Sequence, residues 1–177
     1  ALLCYLGHCD LTDSAQYGEA VSNGIKFLVE LGDKKNGWLY TTNHRHGAAY
    51  AQGIATYAMA ESYAMTEKEF ILPVLQKAVY RIVKGQKQDG GWFYLEERKG
   101  PDGIRFDDFG KNEKSASDTS VSGWQFQALK AAYNSGVLFP GVEPALEAAV
   151  KNFYRVYSPK NGGFGYRKAS DTSSVSH

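Results

Sequence analysis

A chain of 177 residues that is 43% hydrophobic, with a formal net charge of +1, has the composition of one folded domain and excludes disordered and collagen-like classes. Its lysines and arginines are interleaved with acids, so nothing predicts a nucleic acid partner, and no run of about 18 apolar residues predicts a transmembrane segment. Cys4 and Cys9 are the only cysteines, which excludes a disulfide framework and permits a reducing compartment; on that permission alone the cytoplasm is favoured.

Residues 1–6 read as the tail of a helix and residues 170–177 as the opening of another, which suggests a segment of a longer protein. Asp13 or Ser14 is placed to cap a helix over 14–31, where Tyr17, Ala20, Val21, Gly24, Ile25, Leu28 and Leu31 form one apolar stripe. The next helix, over 47–65, is apolar nearly all round: Ala48, Ala51, Ala55 and Ala58 make a ridge of small residues, with Tyr50, Ile54 and Tyr57 on another face. Such a helix is normally buried between neighbours, whereas a single-stripe helix lies outside. Thr66 and Glu69 have the spacing of a capping box for a single-stripe helix over 70–87, in which Pro73 requires either a start near Phe70 or a preceding turn. Residues 95–114 are mostly charged and carry the turn signal Gly100-Pro101-Asp102-Gly103, so they read as a charged loop or hairpin. A second all-round apolar helix follows over 118–135, headed by Asp118 as N-cap, and a third single-stripe helix over 142–157, with Pro144 in its first turn.

The alternation is a repeat. Gly37-Trp38-Leu39-Tyr40, Gly91-Trp92-Phe93-Tyr94 and Gly163-Phe164-Gly165-Tyr166 echo one another, and Ser-Asp-Thr-Ser occurs at both 117–120 and 170–173. Aligning Gly53-Ile54 with Gly123-Trp124 also places Tyr63 on Tyr133 without a gap. The charged stretch 95–114 is then an insertion into one of about three helical hairpins, and the whole chain reads as a single all-α domain.

Laid out in this way, the repeats resemble the glutamine-tryptophan repeats of the squalene-hopene and oxidosqualene cyclases. The central copy carries Lys77-Ala78, Ile82, Gln86, Gly90 and Trp92 at the family spacing, with Arg81 in place of an aromatic residue. The first copy keeps Trp38 but has Gly32 for the glutamine, and the third has Ser158 and Phe164 for glutamine and tryptophan. The resemblance covers nearly the whole chain and implies an α/α toroid of inner and outer helices, a superfamily fold shared with protein prenyltransferases. It also implies structural roles for Gln86, Gly90, Trp92, Trp38 and Phe164, with ligand stacking as the alternative for the aromatic residues. The cyclase acid motif, Asp-X-Asp-Asp-Thr, falls on Ser115-Ala116-Ser117-Asp118-Thr119, so Ser117 stands where the proton-donating aspartate belongs and Asp118 is the one catalytic candidate left. N-capping is its competing role, and Asp171 receives the same reading.

Other chemistries lack their motifs. The chain has no glycine-rich phosphate loop, no Gly-X-Ser-X-Gly and no His-Glu-X-X-His, and no cofactor is expected. Cys4, His8 and Cys9 with His44 or His46 would be a zinc set only if core and solvated roles did not explain them first. Asp102, Asp107, Asp108 and Glu113 lack the spacing of a calcium loop. The favoured expectation is therefore a non-catalytic toroid domain that binds an isoprenoid, another hydrophobic ligand or a protein, with Tyr50, Tyr57, Asp118, Trp124 and Gln127 along its wall. The alternative is a fragment of a terpenoid cyclase, an isomerase acting on isoprenoids. An open array of apolar inner helices also predicts a homodimer that covers them.

Overall fold

The computed structural model describes residues 1–42, 44–100, 103–109, 116–171 and 173–175; the side chains of 98–100, 103–108 and 173–175 lie outside what is described. Ser115 of the acid motif and the calcium alternative at Asp102, Asp107, Asp108 and Glu113 therefore fall outside the described residues or side chains. The protein is mostly helical: α1 (Leu2–Gly7), α2 (Gly18–Lys34), α3 (Arg45–Thr66), a 3₁₀ turn (Glu69–Ile71), α4 (Leu72–Gly85), α5 (Thr119–Asn134) and α6 (Val142–Val156).

Helices α3 and α5 pack side by side and run in the same direction. The Tyr50 hydroxyl meets the Ser120 hydroxyl at 2.7 Å, Gln125 Nε2 donates to the Ala49 carbonyl, and a Cβ on Gly53 would lie 2.9 Å from that of Trp124. Absence of a side chain at Gly53 is what lets the two backbones approach. Helices α2, α4 and α6 flank this pair, each with one buried face: Val21 and Ile25 on α2, Val74, Leu75, Ala78, Val79 and Ile82 on α4, Ala145 and Ala149 on α6. Their apolar stripe is what the 3.6-residue period of the sequence dictates. Pro73 sits in the first turn of α4, behind the 3₁₀ turn, where its missing N–H costs no helical bond.

The central repeat loop is bound on three sides. Trp92 is fully buried and its indole N–H donates to the Ile82 carbonyl at 2.7 Å, one of the last four carbonyls of α4 that lack a partner within the helix. Its backbone N–H donates to the Ser122 hydroxyl on α5. Gln86 Nε2 donates to the carbonyls of Gly90 and of Ala145 on α6, each at 2.8 Å. Gly90 has φ +86°, and a Cβ there would collide with the Ala148 carbonyl. Gly90→Ala is therefore expected to lower unfolding free energy by about 2 kcal/mol in a urea titration, combining left-handed strain with the collision. In the first repeat a different side chain does the tying: buried Gln52 of α3 accepts from the Leu39 N–H and donates to the Gly37 carbonyl.

Strands β1 (Leu95–Gly100) and β2 (Gly103–Phe109) form an antiparallel hairpin with Gly100 paired to Gly103. The hairpin is anchored by Leu95 and Phe109, both fully buried, and the Phe109 ring packs 5.8 Å from that of Trp38. Three further short strands, β3 (Tyr157–Ser158), β4 (Gly163–Gly165) and β5 (Ser173–Val175), form an antiparallel sheet in the order β3-β4-β5. Phe164 on β4 packs against Phe153 and Tyr157.

Local expectations fail at three places. Helix α2 begins at Gly18, without a side-chain cap, because Ser14 spends its hydroxyl oxygen on the Tyr17 N–H and its carbonyl on the Gly18 N–H in the preceding turn. Thr66 does not cap the next helix: it ends α3 and donates its hydroxyl to the Ser62 carbonyl, while Glu67, at φ 50°, turns the chain. Residues 173–175 are a strand rather than the start of a helix, and Asp171 accepts from the N–H groups of Arg167 and Lys168 behind it.

Candidate functional site

Parallel packing brings the first turns of α3 and α5 to the same end of the molecule, and the loop between α4 and β1 and the segment after β4 each deliver a tyrosine there. Asp118 caps α5: Oδ1 accepts from the backbone N–H groups of Ser120 and Val121 and from the Ser120 hydroxyl. Oδ2 accepts from the Tyr94 hydroxyl at 2.6 Å, and the Tyr94 and Tyr166 hydroxyls lie 3.0 Å apart. The Tyr50 hydroxyl closes the chain through Ser120. His46 lies against the Tyr94 ring, with centroids 3.9 Å apart, and the Arg45 guanidinium lies over the same ring at 5.9 Å.

Electrostatics favour the ionised form of the Asp118 carboxyl. Burial pushes the Asp118 carboxyl upward, but hydrogen bonds from Ser120, the two tyrosine hydroxyls and the Val121 N–H outweigh it, and its pKa stays below the ordinary carboxylate value. Tyr94 is raised well above the usual phenol range, by burial first and then by donating to Asp118; Tyr166 is raised for the same two causes. At neutral pH the carboxylate is ionised and the phenols are protonated. Such a carboxylate holds the hydrogen-bond donors around it in place.

Ser117 belongs to another network. It is 1% exposed, its hydroxyl accepts from Asn152 Nδ2 on α6, and its N–H donates to Asp89, which also takes an Arg155 Nη2. The residue at the place of the cyclase acid thus joins α6 to the loop before α5.

Of the wall residues expected from the sequence, Tyr50 and Asp118 are joined through Ser120, whereas Trp124 and Gln127 lie farther along α5 and are exposed. Tyr57 is half-buried on α3. The glutamine built into the α3–α5 contact is Gln125, whose Nε2 bonds Ala49. Tyr94 and Tyr166 lie outside the wall expected from the sequence, and His46, weighed there only as a zinc ligand, instead packs on the Tyr94 ring. The tyrosines stand at the same place in the repeated Gly-Trp/Phe-X-Tyr tetrapeptide, and that recurrence was the available signal. Cys4 and Cys9 are exposed free thiols, His8 pairs with Asp10, and no group of three His, Cys, Asp or Glu side chains able to hold a metal occurs among the described residues. No helix is long and apolar enough to cross a membrane among those residues.

These features define a mostly helical domain in which two parallel central helices, flanked by a layer of others, carry a buried carboxylate and two tyrosine hydroxyls at one end. The family described as a domain of unknown function, DUF6288, matches residues 13–173, and the chain belongs to it. No curated protein and no solved structure matches the chain.

Proposed function

We propose that the chain is part of an α/α toroid, with α3 and α5 as inner helices and α2, α4 and α6 as outer ones, and that it is a non-catalytic binding module for a hydrophobic ligand. One observation carries the reading: α3 and α5, although packed against each other, keep the large apolar side chains of Ile54 and Trp124 in water, each 37% exposed. Tyr57 lies half-buried on α3, and the open site at Gly123, where a Cβ would meet nothing within 4 Å, leaves room beside Trp124. Apolar surface of this kind marks a place where something binds. An isoprenoid fits the resemblance to the squalene-hopene cyclases. A second copy of the chain is the competing occupant of the same face.

Trp124 makes the test direct, because Trp38 and Trp92 are 6% and 0% exposed and emission changes on ligand addition therefore report Trp124. Titration with a long-chain isoprenoid alcohol is expected to release saturable heat and to shift tryptophan emission to the blue, with affinity falling about ten-fold in Tyr57→Ala. No heat and no spectral change would remove the hydrophobic ligand, and a dimer by light scattering would then assign the face to a second copy. With Asp118 ionised and Ser117 bonded to Asn152, the chain is expected not to cyclise squalene; turnover that disappears in Asp118→Asn would instead support the terpenoid cyclase alternative.

A further inference from the structure

A second place is built for charge rather than for apolar surface. Arg155, Tyr166, Arg167, Lys168 and Asp171, with Ala116, line an open cleft of about 760 Å³. Its floor is a fixed turn. Asp171 Oδ2 accepts from the N–H groups of Arg167 at 2.9 Å and Lys168 at 3.1 Å, and Arg155 Nη1 donates to the Arg167 carbonyl at 3.0 Å. Gly165 lies so close to the Lys168 carbonyl that a Cβ would not fit.

The cations of the cleft differ in what they already hold. Arg155 is engaged by Asp89 and by Asn152 Oδ1, each 3.3 Å from its Nη2. Arg167 has its guanidinium over the rings of Phe93 and Tyr166, 5.3 Å from each centroid, and its Nε is buried without a hydrogen-bond acceptor. Neither Arg167 nor Lys168 makes an ion pair among the described residues. With Asp89 balancing Arg155, and Asp171 balancing one of the other two cations, the cleft keeps one positive charge in excess. A guanidinium stacked on two rings is held in orientation before anything binds, so little side-chain freedom is lost when an acceptor arrives.

We propose that this cleft binds a single oxyanion group, the carboxylate or phosphate end of a small acidic ligand, with Arg167 and Lys168 supplying the charge and the donors. It is separate from the apolar face of α3 and α5 and does not depend on the reading of that face. Titrating the chain with inorganic phosphate and with sodium acetate, at ionic strength held constant with sodium chloride, tests it through the amide resonances of residues 165–171. The expected result is a saturable shift confined to those residues in at least one of the two series; which series saturates tells phosphate from carboxylate. Arg167→Gln is expected to weaken that binding about ten-fold and Lys168→Gln by a smaller factor, as loss of a charge-assisted donor requires. Shifts that chloride reproduces, saturation in neither series, or an unchanged affinity in Arg167→Gln would overturn the proposal. Should Arg167→Gln disturb the fold, Lys168→Gln, whose side chain is exposed, decides alone: unchanged affinity overturns the site.

Discussion

Replacing Trp92 by alanine is expected to lower the unfolding free energy by about 4 kcal/mol, the range of a large buried aromatic residue cut to a methyl group. The whole ring is inaccessible to solvent, so the lost burial and the cavity act together. Loss of the indole N–H also leaves the Ile82 carbonyl at the end of α4 without its donor. Against a total of about 5–15 kcal/mol for a domain, the variant would stand near its folding threshold. Trp92→Phe separates the two contributions: it keeps most of the ring and is expected to lose only about 1–2 kcal/mol. Trp124→Ala, at a half-exposed position, should lose less than Trp92→Ala by at least about 2 kcal/mol. Urea unfolding followed by far-ultraviolet circular dichroism ranks the three, and equal losses at Trp92 and Trp124 would contradict the burial of the repeat loop.

Periodicity made the helices legible, and it failed where contacts span the chain. The stripes of α2, α4 and α6 follow from apolar residues recurring every three or four positions, and the glycine at 90 and tryptophan at 92 stand where a helix end needs a tight turn and a donor. Rotation of α5 was less legible. A helix with apolar residues nearly all round offers no stripe to orient it, and the two-residue step between Gln125 and Gln127 turns the side chain by about 200°. Gln125 therefore meets Ala49 while Gln127 faces water. The tyrosine pair was hidden for another reason: Tyr94 and Tyr166 are 72 positions apart, and no local pattern tells that their hydroxyls meet.

The Ser-Asp-Thr-Ser repeat shows how little a tetrapeptide decides. At 118 the aspartate accepts from N–H groups two and three residues ahead and starts a helix. At 171 it accepts from N–H groups three and four residues behind and closes a turn, while residues 173–175 pair with β4. A short carboxylate offers the same acceptor in both settings. Tertiary partners choose the donor: Tyr94 beside Asp118, the 167–168 backbone beside Asp171.

Asp118→Ala is expected to cost about 3 kcal/mol at neutral pH, since it removes the α5 cap and leaves the half-buried Tyr94 hydroxyl without its acceptor. The pH dependence carries a definite sign. The carboxyl has a lower pKa in the folded protein than in the unfolded chain, so its contribution is complete above the unfolded value of about 3.9 and fades as pH falls through the folded one. Wild type and variant should therefore differ by a constant amount from pH 7 down to about pH 5, and the difference should begin to narrow below about pH 4, as pH falls towards the folded pKa. Comparing urea unfolding of the two proteins at pH 7 and pH 3 isolates this contribution, because other carboxylates titrate equally in both. A difference as large at pH 3 as at pH 7 would mean that the stability comes from packing of the aspartate side chain and not from its charge. Tyr94→Phe gives the complementary result: it removes a donor from a carboxylate that keeps the Ser120 and Val121 N–H groups, so α5 stays capped and the loss is confined to about 1–2 kcal/mol.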